Sequence, residues 1–372
     1  MRKRGWGMLG VAGAALISAC ASPAQAPRRL SDSAFVGQVV RMSERGGYFD
    51  TDNLISNEDS YLHPLTTLRR LGVSGGVYVG VGPDQNFSYV AAVRPRAAFI
   101  VDIRRDNLLE HLLFKSIFAL SRSRAEYLGL LFGRAVVNGS APDTASIDSL
   151  LARVQRAPAD QRAIAGIRAR VIARVKQTGM PLSEPDLAVI SRFHDAFILE
   201  GPALRFSSHG RAPQAGYPDY ARLAAERDRA GRQASFLASA ASFAFVKDLQ
   251  DRNLIIPLVG DFAGAHAFRE LAGWMRAHGE KLSVLYASNV EQYVVRDGGF
   301  ETFAKNLERL PRDEKSVVIR SCFAACRGAH PQAVPGYFSV QMVQRVDDLA
   351  ALRAAGRIRG YFDLVSLGLL QP

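Results

Sequence analysis

Cysteine is scarce in this chain: Cys20, Cys322 and Cys326 are the only three among 372 residues. So few exclude a scaffold built from disulfides, and a chain this long, 48% hydrophobic, can bury a core without them. Blocks of one charge are also missing. Lysine and arginine number 47 against 35 acids, a net +12, but the cations are scattered and lack aromatic interleaving, which argues against a nucleic-acid partner. The densest stretch, residues 167–176, "IRARVIARVK", has the spacing of an amphipathic helix with a basic face, usually just solvated, or else resting on anionic lipid or nucleic acid. The seven histidines show no H-E-x-x-H or comparable zinc spacing, so no metal centre is expected. Only His266 falls near a candidate crevice. No internal repeat is evident. "GVSGG" at 72–76 precedes a strand, the wrong order for a nucleophile elbow, so Ser74 reads as a turn residue.

What is present begins at the N-terminus. Arg2, Lys3 and Arg4 precede an apolar stretch from Met8 to Ile17 that is too short for an ordinary membrane span, and the segment closes on Ile17-Ser18-Ala19-Cys20. This reads as an export signal over residues 1–19 with a lipidation site at Cys20. The alternative is plain cleavage after Ala24-Gln25-Ala26. Lipid on Cys20 would make the membrane a partner, with residues 20–33 as a tether. Ala21 in place of an aspartate favours the outer membrane, or a periplasm-facing lipoprotein. Cys322 and Cys326 then remain as a local pair: a disulfide in an oxidising compartment, two thiols, or, with His330, part of a metal site.

Residues 34–121 read as a helical lead-in followed by the first βα units. Val77 to Val81 is a buried strand, Pro83 to Val93 a helix, and "AAFIVDI", Ala97 to Ile103, a strand covered on both faces. Residues 122–253 show long helical periodicities without a sheet strand and read as a helical insertion. From 254 to 372 the βα rhythm resumes, with strands expected at 254–259, 281–287, 316–321, 338–343 and 360–365. The fold class is therefore α/β, an open doubly wound Rossmann-like sheet with a large helical insertion.

Its ligand crevice belongs beyond the carboxyl ends of the strands. Gly80 and Gly82 lie there, letting backbone approach a small-molecule ligand ahead of a helix N-terminus. Asp102, twenty-two positions after Gly80, ends the second strand where a carboxylate can accept ribose hydroxyls. A dinucleotide fingerprint would want glycine at 85, which is Gln85, and Asp84 stands where a pyrophosphate would sit, so NAD and FAD are disfavoured. S-adenosylmethionine, a cation without phosphate, meets no such obstacle. The bland alternative makes Asp84, Asp102 and Asp261 caps or turn residues.

With "VGVGPDQN" and "FIVDIRRDNLLEH" the chain resembles the class I S-adenosylmethionine-dependent methyltransferase superfamily, and more narrowly a bacterial lipoprotein family sharing those stretches. The resemblance covers about 75–120 and 254–322, and not the insertion. It implies a methyltransferase-type sheet, S-adenosylmethionine as cofactor, Gly80 and Gly82 under its methionine moiety, Asp102 at the ribose and Asp261 near the adenine. Asn289 and Glu291 would face the transferring methyl as catalytic residues. Tyr78 replaces the usual acid before the first glycine, and Asp84 the usual third glycine. Export opposes this chemistry, because that cofactor is a cytosolic supply. Two readings follow: an envelope protein with a methyltransferase-like domain, or a non-catalytic binding or interaction module with a vestigial crevice.

Overall fold

The computed structural model describes residues 28–134, 144–211, 214–326 and 328–372; Cys20 and the expected export signal lie outside them. Two helices lead in, α1 (Asp32–Met42) and α2 (Pro64–Leu71), before β1 (Val77–Gly80), α3 (Gln85–Val93), β2 (Ala97–Asp102) and α4 (Arg105–Leu120). The segment between β2 and β3 continues with α5 (Arg124–Leu131), α6 (Ile147–Arg156), α7 (Gln161–Lys176), α8 (Glu184–Glu200), α9 (Tyr220–Ala225) and α10 (Ala240–Asp251). Then come β3 (Ile255–Val259), α11 (Ala267–Ala277), β4 (Leu282–Ser288), α12 (Val290–Arg296), α13 (Phe300–Arg309), β5 (Val317–Cys322), β6 (Val340–Arg345), α14 (Val346–Ala354) and α15 (Tyr361–Leu364).

The six strands form one sheet in the order β3-β2-β1-β4-β5-β6. The first five are parallel, with Val79 beside Phe99 on one side and Leu285 on the other, and β6 runs antiparallel to β5. Every residue of β1, β2 and β3 is buried, as helices on both faces require. Pro257 is tolerated because β3 is an edge strand, where a missing N–H breaks no second ladder. Helices α3, α4 and α10 pack together, while α11 packs with α13. The insertion shares the core of the sheet: Phe114 of α4 meets Phe197 of α8 edge-on, and Phe118 stacks face to face on Phe243 of α10.

The expected strand at 360–365 is instead the short helix α15. The Asp363 carboxylate accepts from the N–H groups of Arg359, 2.7 Å, and Gly360, 3.1 Å, which closes a helical turn. Leu369 makes an isolated antiparallel bridge to Gln344 of β6.

Candidate functional site at the carboxyl edge of the sheet

The winding reverses between β1 and β4, so the carboxyl ends of those strands mark the crevice. Residues 43–63 run across it. The Glu44 N–H donates to Val259 O at the end of β3, and Gly47 N–H to Ile103 O after β2. Arg104 donates to the carbonyls of Thr51, 3.0 Å, and Asp52, 2.6 Å. Asn53, at φ +50°, sits beside Gly82. Glu58 accepts from Tyr286, 2.6 Å, from Ser288 and from Gln341, 3.0 Å, and Asp59 accepts from the N–H groups of Phe338 and Ser339. The lead-in is thus pinned over five strand ends in turn.

Beneath it the β1–α3 turn closes on its own side chain. Asn86 donates to the carbonyls of Val81, Gly82 and Pro83 and accepts from the Tyr78 hydroxyl at 2.8 Å. A Cβ on Gly80 would lie 2.0 Å from Asn86 Oδ1, so glycine at this position makes room for the asparagine. Gly82 is needed for its φ of +86°. Asp102 is held by Arg104 through both oxygens, at 3.1 and 2.8 Å, and also accepts the Arg104 N–H. Asp261 receives the Ala263 N–H at 2.8 Å, a local turn. Asn289 precedes α12 without capping it. Glu291 lies in a fully buried ion pair with Arg320, away from solvent. His266 donates to the Arg41 carbonyl at an exposed position.

Asp84 behaves differently from the other two aspartates. It precedes α3 without a side-chain cap, and burial raises its carboxyl to about 7, opposed by the facing Tyr220 hydroxyl. Nearby on α4, little more than one helical turn delivers Asn107, Glu110 and His111 into the interior. Neither Glu110 oxygen has a hydrogen-bond donor, and neither polar atom of the Asn107 amide has a partner. Burial pushes Glu110 well above the ordinary carboxyl range; Arg104 opposes that, and Asp84 and Asp102 add to it. His111 shares its Nε2 hydrogen with the Gly82 carbonyl at 2.9 Å, which leaves Nδ1 as an acceptor without a donor, and burial lowers its pKa to about 4. The buried Tyr127 hydroxyl completes no hydrogen bond either, the buried Tyr220 hydroxyl faces Asp84, and each feels the Asp84 charge. A cavity of about 10 Å³ opens beside Asp84, lined also by Tyr61, Ser88, Tyr220 and Phe236. That is room for one water-sized group.

Sequence reasoning placed Asp84 at this edge and missed Glu110, Asn107, Tyr127 and Tyr220. A signal was available: leucines at 108, 109, 112 and 113 occupy two flanks of one helix, so the polar residues between them could not all face water. A larger hollow of about 190 Å³ lies at the opposite, amino edge, lined by Ser74, Arg96, Glu280, Lys281, Asp313 and Lys315; Arg96 pairs with Glu280 and Lys281 with Asp313. Among the described residues no group of three His, Cys, Asp or Glu side chains could hold a metal ion. Cys322 and Cys326 form a disulfide, and His330 bonds to the Val365 carbonyl and the Gln332 N–H instead. No helix of the described residues is long and apolar enough to cross a membrane.

No curated protein matches the sequence. One family does match, over residues 54–139 and 208–357; these stretches contain the later part of the lead-in with Glu58 and Asp59, the β1–α3 turn, Asp84, Glu110 and Tyr220, and leave out α6, α7 and α8. They make up more than half of the chain, which therefore belongs to the family described as a domain of unknown function, DUF7790.

Proposed function

We propose that this protein is a membrane-tethered cell-envelope binding module whose Rossmann-like domain holds a small ammonium-type cation against Glu110 and Asp84, without transferring methyl groups. Glu110 carries the reading: it is fully buried and neither carboxyl oxygen is bonded. Leaving a buried polar group unsatisfied costs about 1–3 kcal/mol, and a second acid beside it adds to the strain. An ammonium head supplies three N–H donors and the missing positive charge. The cavity beside Asp84 has room for one water-sized group and is not lined by Glu110, so a primary ammonium head enters on the Asp84 side and a quaternary one is too large. The export signal and Cys20 support an envelope location with the lipid as tether.

The test is thermal melting at about pH 8, above the Asp84 midpoint, in methylammonium chloride and in tetramethylammonium chloride at equal ionic strength. Methylammonium alone should raise Tm, and Glu110→Gln should remove the rise. Equal responses to both salts, or a rise that survives in the variant, would overturn the reading.

A second reading keeps S-adenosylmethionine as ligand, favoured by a strand order that reverses between β1 and β4 as in nucleotide-binding sheets. The side chains as arranged do not fit it. Both Asp102 oxygens are on Arg104, and Asn86 fills the space beside Gly80. Calorimetric titration separates the two: saturable S-adenosylmethionine binding that Asp102→Ala abolishes would establish the second reading, and no heat at millimolar cofactor is expected.

A further inference from the structure

The basic helix α7 has no part in the carboxyl edge. It buries Ile164, Ile167, Val171 and Val175 and turns Arg162, Arg170 and Lys176 outward, with Arg174 half-buried. Between them the exposed strip is low, built from Gly166, Ala169 and Ala173, so the long cationic side chains stand proud of it. No aromatic residue interrupts this helix. The family match leaves the whole of α7 out.

The described chain begins beside the end of this helix. Arg252 donates to the Arg28 carbonyl, and the Leu30 N–H donates to Arg252 O at 3.0 Å. Gly179, just beyond α7, lies against Val36 of α1. Arg29 and Arg174 both oppose the charge of the buried Lys115, so each lies within electrostatic reach of that side chain. The acids of this neighbourhood are already matched. Asp248 pairs with Arg252 at 2.7 Å, Asp251 pairs with Lys247 at 2.9 Å, and Asp32 accepts the Asn253 amide at 2.8 Å. Arg168 on the same helix pairs with Asp195 at 2.7 Å. Among the described residues no carboxylate pairs with Arg28, Arg29, Arg170, Arg174 or Lys176.

We propose that this cationic face lies on an anionic lipid surface and fixes the orientation of the domain on the bilayer. The geometry rests on the tethered reading. Eight positions separate Cys20 from Arg28, a reach of at most about 28 Å, so a lipid on Cys20 holds this face, rather than the opposite one, near the membrane. A lipid alone permits any rotation, whereas clustered cations add an oriented attraction of about fivefold in affinity for each one close to an anionic surface.

The experiment uses the Cys20→Ser chain, which cannot be acylated, and sedimentation with vesicles of phosphatidylglycerol and phosphatidylethanolamine or of phosphatidylcholine alone. Binding to the anionic vesicles is expected, weakened by added salt and reduced about a hundredfold in Arg170→Glu/Arg174→Glu/Lys176→Glu. Reversal of the exposed Arg357 and Arg359 serves as control and should leave most of the binding. Equal binding to both vesicle types, or equal loss in the control, overturns the proposal. So does duplex DNA that displaces the vesicles at matched phosphate concentration, which would make the face a nucleic-acid surface. Failure of the wild-type chain to incorporate palmitate strikes the tethered reading alone, and failure of the Cys20→Ser chain on vesicles strikes the oriented face alone.

Discussion

Glu291 is where the resemblance and the geometry part most sharply, so its removal should act on stability and leave ligand binding intact. Its carboxylate faces Arg320, with Arg320 Nη2 at 3.0 Å, and both side chains are entirely buried. Arg320 also donates to Gln344 Oε1 at 2.7 Å and to the Leu364 carbonyl at 3.0 Å, so one guanidinium joins α12, β5, β6 and α15. Glu291→Ala strands that guanidinium without a counter-charge, which costs about 3–5 kcal/mol. With an unfolding entropy of about 2.1 cal/mol/K per residue, the chain of 372 residues should melt about 4–6 °C lower. The double variant Glu291→Leu/Arg320→Met removes both charges and should recover most of the loss. Thermal or urea denaturation reads the effect, and the methylammonium response reads the site. A Glu291→Ala protein that melts like wild type yet no longer responds to methylammonium would refute the structural role.

Three further outcomes follow from the same geometry. Asp84 rises from its ordinary 3.8 to about 7 through burial, so the folded state keeps a proton that the unfolded chain releases; stability is full below about pH 4 and falls as pH climbs to about 7. At about 1.4 kcal/mol per pH unit the loss is capped at about 4 kcal/mol, and Asp84→Asn should exceed wild type in stability at about pH 8 and match it at about pH 4; parallel pH profiles would contradict this. Reduction of the Cys322–Cys326 disulfide, which closes a very short loop, should cost about 2 kcal/mol, seen as a lower Tm in dithiothreitol that Cys322→Ala/Cys326→Ala no longer shows. Radioactive palmitate should label the wild-type chain and fail to label Cys20→Ser; equal labelling would remove the tether.

The sheet was legible because its signals are local. "VYVG" and "AAFIVD" are apolar without alternation, which only strands covered on both faces sustain, and Gly82 at φ +86° marks the turn between them. The antiparallel direction of β6 was not legible, since Val340–Arg345 has the same composition whichever way it pairs. The cover made by residues 43–63 depends on Glu44, Glu58 and Asp59 meeting partners more than 200 positions away, and nothing in a polar lead-in announces such partners. Asp102 and Asp84 illustrate the limit at the site itself. Both are aspartates at the ends of predicted elements, yet Arg104 satisfies one while the other faces Tyr220 in the interior. Which of two similar acids meets a guanidinium and which is left buried beside a tyrosine hydroxyl is decided by tertiary neighbours.

Carbon-13 NMR of the aspartate side-chain carboxyls, with the Asp84 signal assigned by its loss in Asp84→Asn, reads the buried acid at the cavity directly. An Asp84 midpoint near 7 that moves down when methylammonium is added, and stays in place when tetramethylammonium is added, is the expected result. A midpoint near the ordinary aspartate value of 3.8, indifferent to both cations, would contradict the account.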